Sequence, residues 1–215
     1  MSLPAPAERA WPGAALPPLA TRARSAAEDE DAPLIGVLAL QGGVAEHVAA
    51  LERSGARTRL VKVPEQLDGL DGLVLPGGES TTMTLGIERE GLAEPLRGFV
   101  GSGAPVLATC AGLILLDRAH LDLLPLDCVR NAFGRQVRSF EADLEISGLE
   151  GGPLRAIFIR APQVRHADDA VTVTATVDDA VVGVRHGAVE GYAFHPELTG
   201  DDRLHAAFVA RCRRA

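Results

Sequence analysis

The feature that most constrains this chain is a change of texture at Pro33, after which short apolar runs alternate with stretches of helical periodicity. The run Leu34-Ile35-Gly36-Val37-Leu38-Ala39-Leu40 carries no polar side chain, as a strand buried on both faces requires. It ends at Gln41-Gly42-Gly43. Apolar Val44, Val48 and Leu51 then recur at helical spacing as far as Ser54-Gly55. Arg57 to Val63, Gly72 to Leu75 and Pro105 to Thr109 read as the next strands. Ser80 is expected to cap the helix after the third strand, and a further helix is expected from Leu113. Strand and helix in this order specify an α/β fold, with a mostly parallel central sheet between two helical layers. The second half is richer in strands: Leu144-Glu145-Ile146, Ala156 to Ile159, Val171 to Val177, Ala180 to Val184 and Val189 to Phe194. A hairpin is expected around Arg185-His186-Gly187, and a closing helix from Asp201 or Asp202 to Arg211.

Residues 1–32 differ in kind, being rich in Pro and Ala and ending in the acidic run Glu28-Asp29-Glu30-Asp31. They read as a disordered leader before a single domain spanning 33–215, because such a segment has little apolar surface to bury. The chain has 21 basic against 29 acidic residues, a net charge of −8. That argues against nucleic-acid or anionic-membrane partners, which reward clustered Lys and Arg. Lys62 is the only lysine, so a relay of several lysine-bound imines is impossible. Three cysteines without a C-x-x-C pair point to a reducing, cytoplasmic setting rather than a disulfide framework.

Three segments could carry chemistry. Cys110 ends the fourth strand in Val106-Leu107-Ala108-Thr109-Cys110-Ala111-Gly112. A nucleophile on a tight strand-to-helix turn needs small neighbours, and the helix N-terminus beyond favours the thiolate. Taken alone, Cys110 reads rather as a buried structural cysteine, the commoner fate of a free thiol. His195-Pro196-Glu197 changes the balance: in an extended segment residues i and i+2 share a face, and a carboxylate beside an imidazole fixes its tautomer and stabilises its charged form. The alternative is a surface ion pair. Gly77-Gly78-Glu79-Ser80 follows the strand Leu73-Val74-Leu75, and glycines there can turn backbone N–H groups toward a developing oxyanion. Alone it would be an ordinary turn. The other histidines (His47, His120, His166, His186, His205) show no metal-ligand spacing and read as surface or core residues.

Taken together, these strings resemble the class I glutamine amidotransferases, a family of flavodoxin-like three-layer sandwiches, and within it the glutaminase subunits of pyridoxal 5′-phosphate synthase. The resemblance is carried by Leu75-Pro76-Gly77-Gly78-Glu79-Ser80-Thr81-Thr82-Met83, Thr109-Cys110-Ala111-Gly112, Arg130-Asn131-Ala132-Phe133-Gly134-Arg135-Gln136, Phe158-Ile159-Arg160-Ala161-Pro162 and Phe194-His195-Pro196-Glu197-Leu198-Thr199. It implies Cys110 as nucleophile, His195 as its base and Glu197 as the orienting carboxylate. It implies glutamine contacts from Gly78, Glu79, Ser80, Arg130, Ile159 and Arg160, and an oxyanion hole at Gly77 and Gly78. An arginine suits the substrate's α-carboxylate, which its planar fork can hold by two hydrogen bonds. Gln41 and Gly42 are expected to couple the site to a barrel-shaped synthase subunit that receives the ammonia. No cofactor or metal is implied. Two rival readings stand beside this one: a glutaminase serving a different synthase, and a catalytically silent regulatory subunit.

Overall fold

The computed structural model describes residues 31–130, 132 and 139–213. Apart from Asp31 and Ala32, the leader expected over 1–32 lies outside the described residues, as do Asn131 and residues 133–136 of the Arg130–Gln136 string. The elements run β1 (Leu34–Leu38), α1 (Val44–Arg53), β2 (Arg57–Val61), β3 (Gly72–Leu75), α2 (Ser80–Arg89), α3 (Ala93–Gly101), β4 (Val106–Thr109) and α4 (Ala111–Leu115). They continue with β5 (Leu126–Val129), β6 (Ser139–Leu144), β7 (Leu154–Ile159), β8 (Gln163–Ala167), β9 (Thr172–Val177), β10 (Ala180–His186), β11 (Val189–Tyr192) and α5 (Arg203–Cys212).

The main sheet has the order β2-β1-β3-β4-β11-β10-β8-β5, with β9 paired to β10. From β2 to β11 every pairing is parallel. Beyond β11 the pairings are antiparallel, so the mostly parallel centre carries an antiparallel flank drawn from the second half of the chain. β6 and β7 form a separate two-stranded ribbon. Crossovers between parallel strands are right-handed. The step from β1 to β2 and the step from β3 to β4 move in opposite directions across the sheet, which places α1 on one face and α2 and α3 on the other. α5 returns to pack on α1, and α4 packs on α2, β3 and β4. Between these layers lies one continuous apolar core, running from Ile35 and Val37 through Leu73, Leu75 and Leu107 to Phe158, Phe194 and Phe208.

Several sequence expectations need correction. Ser80 is not the cap of α2. That position is Glu79, whose carboxylate accepts from the Thr81 and Thr82 N–H groups, while Ser80 is the first, buried residue of the helix. α4 starts at Ala111, directly after Cys110, rather than at Leu113. β1 stops at Leu38 and β2 at Val61, and of Leu144-Glu145-Ile146 only Leu144 is in a strand. The hairpin at Arg185-His186-Gly187 is present, with His186 opposite Val189.

Candidate active site

Four segments leave the sheet at the same edge: Gln41-Gly42 after β1, Gly77-Gly78 after β3, Cys110 after β4 and His195–Glu197 after β11. The strands before them are parallel, so their carboxyl ends converge, and the strand order reverses between β1 and β3. Open α/β sheets bind ligands at such a reversal.

Cys110 has φ 47° and ψ −106°, a conformation that costs an L-residue on the order of 1–3 kcal/mol and persists only where the surroundings enforce it. Here they do. The Cys110 N–H donates to the Tyr192 carbonyl at 2.7 Å, which ties the elbow to the end of β11. Gly112, in the first turn of α4, sits so close to β3 that a Cβ on it would lie 2.0 Å from the Leu75 carbonyl oxygen. The sulfur lies 3.8 Å from the Ile159 carbonyl oxygen.

His195 and Glu197 meet as expected, but for a different reason. Pro196–Leu198 form a 3₁₀ turn, so the alternation of an extended segment does not apply. The turn folds the carboxylate back, and His195 Nδ1 lies 2.7 Å from Glu197 Oε1. The His195 N–H donates to the Ile157 carbonyl of β7 at 2.9 Å, and Phe158 packs edge-on against Phe194 at 5.6 Å. The β6–β7 ribbon therefore braces both His195 and, through Ile159, the rim near the sulfur. Burial opposes the charged imidazole, but hydrogen bonds to Cys110 and Glu197 outweigh it and push the His195 pKa up to about 10. Burial likewise opposes ionisation of Glu197, yet the hydrogen bond from His195 and the nearby His47 hold its carboxyl below the usual carboxylate range. Burial pushes Cys128 and Cys212 to about 12, leaving both as inert thiols.

A cleft opens above the sulfur, lined by Gly78, Glu79, Ser80, Arg130, Ile159 and Arg160 together with Cys110, Ala111 and Ile114. All six residues expected to contact glutamine thus share one cavity with the thiol. The Arg130 guanidinium donates to the Thr81 hydroxyl at 3.1 Å. Arg160 is another L-residue at positive φ, 46°. The Glu79 carboxyl is held down at about 2 by the Thr82 N–H, the Thr82 hydroxyl and the Thr81 N–H.

Gln41 and Gly42 lie against the Gly77-Gly78 turn. Gln41 Oε1 accepts from the Glu79 N–H at 2.6 Å, and Gly43 N–H donates to the Gly77 carbonyl at 3.0 Å. Gly42 has φ 101°, and a Cβ there would lie 1.8 Å from the Gly77 oxygen, so only glycine fits. The Gly77 N–H is bonded to the Thr109 hydroxyl at 3.0 Å. In this conformation it is engaged inside the protein rather than offered to an oxyanion.

Sequence reasoning missed a group behind Cys110, His195 and Glu197. His47 and His205, fully buried, face one another from α1 and α5, with His47 Nδ1 3.0 Å from His205 Nε2. His47 Nε2 lies 3.0 Å from the Thr109 hydroxyl and 3.3 Å from Glu197 Oε2. A signal existed: His47 falls with Ala50 and Leu51, and His205 with Leu204, Phe208 and Val209, on the buried stripes of their helices.

Residues 37–214 match the model of the SNO glutamine amidotransferase family. Over 188 residues the chain is 53% identical to the pyridoxal 5′-phosphate synthase subunit PdxT of Geobacillus kaustophilus, covering 84% of this chain and 95% of that one. It is 49% identical to the protein of the same name from Rhodococcus jostii over 193 residues, 82% of this chain and 96% of that one. Among solved structures, one described as a glutamine amidotransferase superposes with a TM-score of 0.78 at 43% identity, covering 83% of this chain and 98% of that one. The structure of PurLQS from Thermotoga maritima shares the fold, with a TM-score of 0.66 at 21% identity over 82% of this chain and 96% of that one.

Proposed function

Because the chain belongs to the SNO glutamine amidotransferase family, we propose that it is the glutaminase subunit of a pyridoxal 5′-phosphate synthase, with Cys110, His195 and Glu197 as its catalytic triad. The observation that carries the reading is the arrangement of one cleft. A thiol on a strained elbow and six residues with groups suited to a free amino acid line it, and beside the thiol stands an imidazole oriented at 2.7 Å by a buried carboxylate.

The chemistry follows from the geometry. In the attack step His195 takes the proton of the Cys110 thiol and carries it as an imidazolium, stabilised by Glu197. The thiolate attacks the side-chain amide carbon of L-glutamine, and its oxygen becomes an oxyanion. As the C–N bond breaks, His195 delivers its proton to the departing nitrogen, giving ammonia and a glutamyl thioester on Cys110. Water, deprotonated by His195, then opens the thioester to L-glutamate and restores the thiol. Arg130 or Arg160 would take the α-carboxylate in a fork of two hydrogen bonds.

The ammonia needs an acceptor elsewhere, since one lysine, Lys62, cannot run a relay of several lysine-bound imines. The receiving chain is the barrel-shaped synthase subunit. The Gly77 N–H must leave the Thr109 hydroxyl before it can serve an oxyanion, and docking near Gln41-Gly42 is the event that would shift the turn. The test is ammonia release from glutamine by wild type and Cys110→Ala, with labelling by a glutamine-mimicking diazoketone alongside. Hydrolysis and labelling by wild type alone are expected. A wild-type protein that binds the synthase but neither hydrolyses glutamine nor reacts would be a silent regulatory subunit.

A further inference from the structure

The triad is held from behind by groups that the hydrolysis itself does not use. Glu197 spends Oε1 on His195. Its other oxygen, Oε2, is buried without a direct hydrogen bond and lies 3.3 Å from His47 Nε2. The same Nε2 is 3.0 Å from the Thr109 hydroxyl, which in turn accepts the Gly77 N–H. One imidazole nitrogen therefore touches both the orienting carboxylate and the hydroxyl that holds the glycine turn.

The proton on that imidazole can be placed. A bare Nε2 would set its lone pair against the Glu197 carboxylate at 3.3 Å, too close for an intervening water, which is repulsive in a buried site. With Nε2 protonated, His47 donates toward Thr109 and Glu197, and its Nδ1 accepts from His205 Nε2–H across 3.0 Å. His205 Nδ1 is then an unprotonated acceptor, and it is the ring nitrogen without a partner. The opposite tautomer would bury an unpaired N–H there, the less tolerated defect. Burial disfavours the charged forms of both rings. The charged and titratable groups around the pair are Glu46, His195 and Glu197 for His47, and Glu197, Asp202 and Arg53 for His205.

We infer that His47 is a positioning residue for glutamine hydrolysis: a neutral Nε2–H donor, its tautomer fixed by His205, that holds the second oxygen of Glu197 and through it the plane of His195. This rests on the glutaminase reading above. His47 touches no reacting atom, so it should act on turnover and leave glutamine binding alone.

The experiment compares His47→Gln with His47→Asn in the full chain saturated with its synthase partner. The glutamine amide reaches the place of Nε2 and keeps a donor toward Glu197, whereas the asparagine amide reaches only the place of Nδ1. For His47→Asn, kcat is expected to fall about 10- to 100-fold, the effect of removing the donor group that faces a buried carboxylate oxygen, with KM changed less than about twofold. His47→Gln should stay within about threefold of wild type in kcat, on the same reasoning. Equal kcat values for the two variants, or a loss shared equally by KM, would overturn the inference. Should His47→Asn fail to fold, His205→Leu takes its place, since it keeps His47 and removes only the donor that fixes the tautomer. A several-fold drop in kcat at constant KM is then expected, and an unchanged kcat overturns the inference. A wild-type protein without glutaminase activity would fail the triad reading instead, a result distinct from both.

Discussion

Gly112→Ala is the sharpest perturbation the elbow offers, because it adds one methyl at the place where α4 meets β3. The new Cβ would lie 2.0 Å from the Leu75 oxygen and 2.7 Å from its carbonyl carbon, whereas real Cβ contacts essentially never fall under 3.0 Å. Backbone must therefore part from backbone by about 1 Å, since neither partner is a flexible side chain. Overpacking of this size costs about 1–3 kcal/mol, a fall in Tm of roughly 3–10 °C for a domain of this length. The larger effect should be on activity. Gly112 is two residues from Cys110, whose dihedrals are already strained, and α4 can move only by carrying the sulfur with it. A displacement near 1 Å costs on the order of 100-fold in rate. Thermal melting and steady-state ammonia release, both with saturating synthase, measure the two effects. Wild-type kcat/KM with an unshifted Tm would mean that the helix and strand are not in hard contact, and the account of the elbow would fail.

Three further outcomes are expected. Glu197→Gln should lower kcat by about two to four orders of magnitude, because the imidazolium loses its charge partner and its tautomer lock; an unchanged rate would make Glu197 a bystander. The Tm should fall as pH drops from about 6.5 to about 4, because His205, held down at about 4 by burial, gains protons in the unfolded chain before it can in the folded one. His205→Gln should flatten that slope, measured by melting across the same window, and parallel slopes would contradict it. Ammonia release should rise as purified synthase is titrated in, and a flat titration with binding confirmed independently would reject activation through the Gly77 turn while sparing the triad.

What was legible in the sequence was what local chemistry decides. Uninterrupted apolar runs gave β1, β3 and β4, and small residues after Thr109 marked the elbow. Strands with mixed exposure were harder. Gln163–Ala167 carries exposed Arg165 and His166, and Leu126–Val129 contains Asp127, so neither shows the period of a buried strand. Their place in the sheet comes from pairing with each other rather than from their own pattern. The Glu79 cap was missed because a serine after a turn is the commoner signal, whereas Glu79 reaches two N–H groups with one carboxylate. The His47–His205 pair was missed for a deeper reason. The two residues are 158 positions apart, and only the packing of α1 on α5 brings their buried stripes together.

The pairing of β4 with β11 has a consequence for how the molecule can be checked for correct assembly. Thr109 and Tyr192 are register partners, and the chain reaches Cys110 one residue beyond the first and His195 three beyond the second. A slip of one residue between these strands would move Cys110 and His195 apart by about 3.3 Å and turn every side chain of the slipped strand to the opposite face. A chain misaligned in this way could still be compact, since both strands are buried along their whole length, yet it could not bring Cys110 to His195. The fraction of refolded molecules that reacts with an electrophilic glutamine analogue therefore counts the chains in which these two strands have found their proper alignment. In this sense the reactive thiol is a built-in gauge of folding fidelity.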